Sequence, residues 1–214
     1  MIFEIHAETF DGSVAESKYR SFIKSLTLLG GNWGLAPDSV IPPLDFKKES
    51  VAFINWNKLF KKIVRYSLFF RYRNMLYDHH ACDDRVYVEF NTPKVDYEEL
   101  IYSVFEFYVK EFDGYFASIF PEELIYEDFD LTRNKNVRKY VHRFCPVMFV
   151  SNKLCQKAFG VSVEQLAKVL SGHVEKVWYF NDGIGYIHSA KVLTPEACNT
   201  FDQAIKNRLV EIRG

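Results

Sequence analysis

The chain has 214 residues, of which 48% are hydrophobic and 17% aromatic, and its formal net charge is −1. This length and apolar content predict one domain with a substantial core and exclude intrinsic disorder. The near-neutral charge also disfavours a nucleic-acid-binding domain, which is usually strongly basic. The first residues lack the basic and apolar regions of a secretory signal, and no later segment is long and apolar enough to span a bilayer, so a cytoplasmic protein without membrane contact is expected.

The N-terminal part alternates between strand and helix patterns. Residues 1–8 place apolar and polar side chains in turn, which predicts a half-buried strand. A helix is then expected from Ser13, which Glu16 completes as a capping box, to the pair Gly30-Gly31. After a loop rich in Gly and Pro, helical spacing predicts a second helix from Trp56 to Leu76.

The middle of the chain contains the clearest helix signal. Residues 85–90 read as a strand, and Asp96 with Glu99 then marks a helix start. Gly114 marks its end. The apolar positions of this helix are expected to form its buried stripe, and they are Leu100, Ile101, Val104, Phe105, Tyr108 and Phe112.

The C-terminal part shows regular start and stop signals. The predicted elements are a strand over Phe144–Val150, a helix capped by Ser151 or Asn152 that ends at Gly160, a helix opened by Ser162 and Gln165 and closed by Gly172, a hairpin of His173–Phe180 and Ile184–Ser189 around Asn181-Asp182-Gly183, and a final helix from Thr194-Pro195. Strands and helices interleave without a repeat. We therefore predict a single α+β domain over residues 1–214, with helices packed on a mainly antiparallel sheet.

The near-zero net charge conceals a strong polarity. Residues 83–130 carry 14 acidic side chains against three basic ones, together with 13 aromatic side chains. The rest of the chain holds 14 acidic and 24 basic residues. An acidic surface with interspersed aromatic side chains is typical of a protein that mimics a polyanion or fills a basic cleft.

Two groups of acids and tyrosines are the candidate partner contacts. Glu99, Glu106 and Asp113 are spaced by seven residues, so one outward helix face is expected for them. A second acidic cluster follows that helix. The alternative is an ordinary solvated face. The full candidate set is Glu99, Tyr102, Glu106, Asp113, Glu122, Glu123, Tyr126, Glu127, Asp128 and Asp130.

Basic residues concentrate on both sides of the acidic segment. Residues 131–157 contain seven bases and no acid, and residues 47–73 contain eight bases and one acid. With neighbouring aromatic residues such a stretch could bind nucleic acid. The preferred interpretation is that these bases neutralise the acidic segment within the fold.

One cluster combines the side chains of a metal site. His79, His80, Cys82 and Asp83 are all residue types that bind zinc, so a metal-dependent hydrolase or metalloprotein is the alternative function. Adjacent histidines rarely reach one ion, however, and no second ligand pair follows. Cys82, Cys145, Cys155 and Cys198 form no C-x-x-C pair, and reduced, buried thiols are expected. No catalytic motif is present, and neither a cofactor nor a metal is predicted.

The C-terminal third resembles the immunity protein 52 family. The resemblance lies in Cys145-Pro146-Val147 through Phe149, Ser151-Asn152-Lys153-Leu154-Cys155, Ala158-Phe159-Gly160, the hairpin after Gly172-His173-Val174 and, near the N-terminus, Gly30-Gly31-Asn32-Trp33-Gly34-Leu35. These are mostly packing and turn residues, and the rest of the chain is similar only in length and order of elements. The resemblance implies an immunity protein encoded beside a polymorphic toxin, often a type VI secretion effector with a nuclease domain, and it implies no catalytic residues.

Electrostatics and resemblance lead to the same expectation. A nuclease needs a basic groove to hold phosphates, and an acidic, aromatic surface would block that groove and speed association. The predicted function is therefore a non-enzymatic immunity protein that occludes its cognate toxin. Charge reversal at Glu123 and Asp128 is expected to slow that association. The acidic segment could also cover a homodimer contact.

Overall fold

The computed structural model of the chain describes residues 1–8, 12–36, 38–41, 52–55, 63–70 and 79–213. Within these residues eight strands form one sheet in the order β2-β3-β4-β1-β5-β6-β8-β7, and each neighbouring pair is antiparallel. The strands are β1 (Ile2–Ala7), β2 (Ala52–Asn55), β3 (Ile63–Phe70), β4 (Asp84–Phe90), β5 (Phe116–Phe120), β6 (Val147–Ser151), β7 (Lys176–Phe180) and β8 (Gly183–Ile187). The predicted α+β class with an antiparallel sheet is confirmed.

Six helices accompany the sheet in the described part of the chain. They are α1 (Gly12–Leu29), α2 (residues 97–112), α3 (Glu123–Thr132), α4 (Asn152–Phe159), α5 (Val163–Leu170) and α6 (Pro195–Arg213). The described residues contain no helix with both the length and the apolar run that crossing a bilayer requires. Short 3₁₀ turns at His80–Cys82 and Thr92–Lys94 flank β4.

The helices cover both faces of the sheet. On one face α1 and α2 bury side chains such as Phe22 and Phe105 against Phe3 and Ile5 of β1. On the other face α4, α5 and α6 pack against alternate residues of the C-terminal strands, including Met148, Val150 and Tyr186. Since successive strand residues point to opposite faces, β6 contributes to both cores. The helix α3 lies on this second face, over β1 and β5.

The helix α2 contains one wide turn. Tyr97–Glu99 and Phe105–Phe112 are α-helical, whereas Leu100–Val104 form a π-helical turn. The buried residues recur every four positions, as Leu100, Val104, Tyr108 and Phe112 do. A spacing of four exceeds the 3.6-residue repeat of an α-helix, and the wide turn keeps this stripe on the sheet. All six predicted core positions of the helix are buried, as the sequence indicated.

The prediction of a second helix over Trp56–Leu76 is wrong for residues 63–70, the part of that range that the structure describes. Ile63–Phe70 form strand β3, paired with β2 and β4, and the rest of that range lies outside the described residues. The β3–β4 register shifts between Ile63 and Arg65, which is a bulge. A bulge inserts an extra residue and interrupts the two-residue alternation, so the pattern resembled helical spacing.

Other local signals gave the correct structure. The Asp96 carboxylate accepts the backbone N–H of Glu99 at 2.9 Å, and Ser162 with Gln165 forms a complete capping box. Asn181 and Asp182 have φ of 51° and 52°, the left-handed turn that matches a tight hairpin. Strand β5 and helix α3 were not predicted as elements, and the start of α1 at Gly12 precedes the expected Ser13 cap by a residue.

Strand β1 is more buried than its alternation predicted. It lies between β4 and β5 at the centre of the sheet, and His6 on its polar side is only 3% exposed. A segment of the chain that includes α3 covers that side. The polar residues Glu4, which is 26% exposed, and His6 therefore face a partly open cavity beneath α3.

Candidate functional site: helix α3 and the cavity beneath it

The structure separates the ten predicted contact residues into two groups. Glu99, Tyr102, Glu106 and Asp113 belong to α2 or its C-terminal end, on the face of the sheet that carries Phe3 and Ile5. Glu122, Glu123, Tyr126, Glu127, Asp128 and Asp130 belong to α3 or its first cap, on the opposite face. One continuous acidic surface made of both groups is therefore not present. The sequence could not indicate this, because the intervening strand β5 carries the chain across the sheet.

The α2 group is partly engaged within the protein. The Tyr102 hydroxyl donates to Glu175 at 3.2 Å, and the Lys110 ammonium donates to Glu106 at 2.5 Å. Asp113 has φ of 55° and ends the helix in a left-handed conformation. Glu99 remains exposed in the first turn. The π turn between Glu99 and Glu106 contains more residues per turn than an α-helix. It therefore rotates Glu106 relative to Glu99, and the seven-residue alignment expected for an uninterrupted α-helix does not apply.

Helix α3 exposes apolar side chains to an unusual degree. Tyr126 is 76% exposed, Phe129 56% and Leu131 57%, although the helix has ten residues. The acids Glu123, Glu127 and Asp130 are exposed on the same helix, and within the described residues only Leu124 of α3 is fully buried. Because exposed apolar area is unfavourable, adjacent exposed aromatic side chains are typical of surfaces that another molecule covers.

Asp128 is directed inward, unlike the other acids of α3. Arg143 binds it through two hydrogen bonds, Nε to Oδ2 at 2.7 Å and Nη2 to Oδ1 at 2.6 Å. The Nε2 atom of His142 lies 3.3 Å from the same carboxylate, whose exposure is 15%. The guanidinium also donates to Asn199 of α6. Asp128 thus anchors α3 to the segment before β6 and is not a free surface charge.

The acidic and basic segments also meet at Asp83, which is fully buried. The Arg138 Nε donates to its carboxylate at 2.8 Å, the Tyr115 hydroxyl donates to it, and the His6 Nδ1 lies 3.3 Å away. Burial, followed by the Asp83 charge, raises the pKa of the Tyr115 hydroxyl far above its usual range. The interpretation that bases of 131–157 neutralise the acidic segment within the fold is confirmed for Arg138 and Arg143.

A cavity of about 370 Å³ lies between α3, residues 133–145 and the sheet. Its floor is polar and comes from neighbouring strands, with Glu4 and His6 on β1, Arg85 on β4 and Ser118 on β5. Its walls are largely apolar and include Phe116, Phe120, Leu124, Phe129, Val137 and Val141. Concave spaces of this size with a few convergent polar groups are typical of small-molecule sites.

The polar floor is held by short-range contacts. The Ser118 hydroxyl donates to the Glu4 Oε1 at 3.4 Å, and the His6 Nε2 lies 3.6 Å from the Glu4 Oε2. Burial raises the pKa of the Glu4 carboxyl, but the contacts with His6 and the charge of Arg85 outweigh it, so this pKa lies below its usual value. Glu4 is therefore ionised at neutral pH.

Two polar atoms of the cavity have no hydrogen-bond partner among the described residues. They are the Nε of Arg85 and the Nδ1 of His80, and both are buried. Burial, assisted by the charge of Arg85, lowers the pKa of His80 to about 4, so this imidazole is neutral at physiological pH. Another part of the Arg85 guanidinium, Nη2, donates to the His80 carbonyl at 3.2 Å and holds the two residues together.

His79, His80, Cys82 and Asp83, which all belong to the described residues, do not form a metal site. Within residues 79–84 the ring of His79 accepts the Ala81 backbone N–H at 3.1 Å, and Asp83 is committed to Arg138. The described residues contain no group of three or more His, Cys, Asp or Glu that could hold an ion. All four cysteines are free, with Cys145, Cys155 and Cys198 buried and Cys82 half-buried.

The sequence did not point to the cavity. Glu4 and His6 alternate with apolar residues, which is the ordinary pattern of a strand with one solvated face. Only the central position of β1 in the sheet makes those polar residues internal. The sequence does contain polar residues at these positions, namely Glu4, His6, Arg85 and Ser118. Their proximity could be inferred only from the order of the strands in the sheet, which the sequence did not provide.

In the comparisons with known proteins, no family model, no curated protein and no solved structure matches the chain. Its own residues therefore carry any inference about function.

Proposed function

We propose that the protein is a cytoplasmic immunity-type inhibitor that binds a cognate secreted nuclease toxin through the outer surface of α3. The contact surface consists of the acids Glu123, Glu127 and Asp130 together with the apolar side chains Tyr126, Phe129 and Leu131. The carrying observation is the exposure of these three apolar side chains among acids on one ten-residue helix.

The chemistry of the α3 surface suits a basic partner. Tight interfaces use aromatic anchors surrounded by polar residues, and Tyr126 and Phe129 can serve as such anchors. A groove that holds nucleic-acid phosphates is lined by Lys and Arg. Carboxylates presented to that groove would occupy the phosphate positions and accelerate the encounter by long-range attraction.

We assign the contact to α3 and not to α2. The α2 candidates lie on the opposite face of the sheet, and their tyrosine, Tyr102, is 38% exposed and donates to Glu175, whereas Tyr126 of α3 is 76% exposed. Asp128 is excluded from the contact because Arg143 holds it. Charge reversal at Asp128 would therefore test folding, whereas reversal at Glu123 and Glu127 tests binding.

The test is co-purification with the product of the neighbouring gene, followed by association kinetics at low and high salt. The double variant Glu123→Lys, Glu127→Lys is expected to slow association by about tenfold or more, because the long-range attraction between the acidic surface and a basic partner is lost. The control Glu99→Lys with Glu106→Lys changes the net charge equally on the other face and should leave the rate within about twofold. Tyr126→Ala should mainly accelerate dissociation.

Two outcomes would contradict the proposal. If the neighbouring product is harmless alone and forms no complex, the immunity role is wrong. If the α2 variant weakens the complex and the α3 variant does not, the surface is wrong.

A self-interface through α3 is the competing use of the same surface. Light scattering of the purified protein separates the two. A dimer that dissociates in Tyr126→Ala would show that α3 joins two copies of the chain.

A further inference from the structure

We propose that the cavity beneath α3 binds a small organic anion with an apolar body, whose acidic group is received by Arg85 and His80. The inference concerns the inner side of α3, whose cavity lining shares Phe129 with the contact surface proposed above. Its three supports are the charge of the lining, the unpaired polar atoms at one end and the apolar walls.

The lining carries an excess of positive charge. Four cationic side chains, Arg85, Arg133, Lys135 and Arg143, contact the cavity against the two carboxylates Glu4 and Asp128. The bidentate pair of Arg143 with Asp128 is neutral as a unit. Arg133 is likewise paired with Asp130 at 3.5 Å. Arg85 and Lys135 then remain against Glu4, and this excess of one positive charge favours an anion inside. This is the opposite sign from the outer surface of the same helix.

One end of the cavity holds two buried polar atoms without hydrogen-bond partners among the described residues. The Arg85 Nε–H is buried and has no hydrogen bond to the described residues, and the adjacent His80 Nδ1 is in the same condition. Buried polar groups are normally satisfied, because leaving one unpaired costs about 1–3 kcal/mol. A carboxylate or phosphate oxygen beside Arg85 would accept its Nε–H, with the guanidinium charge strengthening the contact. In the neutral tautomer that carries its proton on Nδ1, His80 would donate to the same acidic group.

The remainder of the ligand is defined by the walls. Phe116, Phe120 and Leu124 lie on one side and Val137 and Val141 on another, and Phe129 contributes from α3. A volume of about 370 Å³ accommodates a bicyclic body. The ligand needs polar contacts with the protein only at its acidic group.

The experiment compares three ligands of the same shape by isothermal titration calorimetry. Naphthoate, naphthyl phosphate and neutral naphthalenemethanol share the apolar body and differ at the head group. We expect naphthoate or naphthyl phosphate to bind at least about tenfold more tightly than the alcohol, since a hydrogen bond to a charged group is worth that factor or more. The relative affinity of the two anions shows whether the site prefers a carboxylate or a phosphate.

Matched arginine variants locate the site. Arg85→Gln is expected to bring the anions to the affinity of the alcohol. Arg65→Gln removes an exposed arginine from the neighbouring strand β3, which pairs only loosely with Glu89 at 3.7 Å, and should change nothing. The comparison of the three ligands uses the unmodified protein, so it does not depend on whether a variant folds. Equal affinity for anions and alcohol, absence of binding at millimolar concentration, or an anion preference that survives Arg85→Gln would each overturn the proposal.

Discussion

The guanidinium of Arg143 holds the carboxylate of Asp128 by two parallel hydrogen bonds of 2.7 and 2.6 Å. This pair joins the acidic helix α3 to the basic segment that precedes β6. It fixes which side of α3 faces the cavity and which side faces solvent. The charge polarity of the sequence is thus partly used to build the fold and partly left on the surface.

Asp128→Asn should destabilise the protein by about 1.5–3 kcal/mol, because a mostly buried arginine loses its charged, bidentate partner. Urea unfolding at neutral pH measures the change. Asp130→Asn is the matched control on the same helix, since Asp130 is 82% exposed and its removal should cost less than about 0.5 kcal/mol. Equal effects of the two variants would show that the pair does not anchor α3.

Arg138→Leu should be more damaging than any surface arginine substitution. It leaves the carboxylate of Asp83 without its cation in a fully buried position, which costs about 3–5 kcal/mol. Arg133→Leu, at an exposed arginine paired with Asp130, provides the comparison. The double variant Asp83→Asn with Arg138→Leu should recover part of the loss, because no charge is then left alone. Additive losses in that double variant would contradict this account.

The stability of the protein should fall as the pH is lowered, in two successive ranges. His80 has a folded pKa of about 4 against an ordinary value of 6.5, so the unfolded chain binds its proton first and stability decreases from about pH 6.5 to pH 4. The Glu4 carboxyl, whose pKa is also lowered, contributes stability that is present above pH 4.5 and is lost below it.

His80→Gln separates these two ranges. It should flatten the stability curve between pH 6.5 and 4.5 and retain the steeper loss below. His79→Gln removes an exposed imidazole from the same turn and should keep the slope of the unmodified protein. A His80→Gln curve parallel to the unmodified one at every pH would refute the assignment. Thermal melts at constant ionic strength give both curves.

Gly34→Ala should destabilise the protein more than Gly31→Ala. A Cβ on Gly34 would lie 2.2 Å from the backbone nitrogen of Gly30, so backbone must move. Gly31 has φ of 62° with open space around a Cβ, and alanine there costs only the left-handed backbone penalty of about 1–2 kcal/mol. Both glycines flank the buried Trp33, whose carbonyl accepts the Tyr108 hydroxyl at 2.5 Å. Chemical denaturation of the two variants tests the order.

Local chemistry explains where prediction from sequence succeeded. The caps at Asp96, Ser151 and Ser162 and the turn at Asn181-Asp182 depend on hydrogen bonds and backbone angles within a few residues, so the sequence predicts them directly. Prediction from sequence failed at Ile63–Phe70, where a bulge and the pairing with two other strands decided the structure.

Composition and spacing alone determined the α+β class, the type and order of the elements after residue 84 apart from β5 and α3, and the concentration of acids and aromatics in residues 83–130. The tertiary structure alone decided that these acids lie on two faces of the sheet, that Asp128 is internal and that Glu4, His6 and Arg85 share a cavity. The physical reason is the range of the interactions. Helix starts and turns are fixed by neighbours in the chain, whereas the burial of a charge depends on which strand lies beside it, and that pairing joins residues as distant as His6 and Arg85.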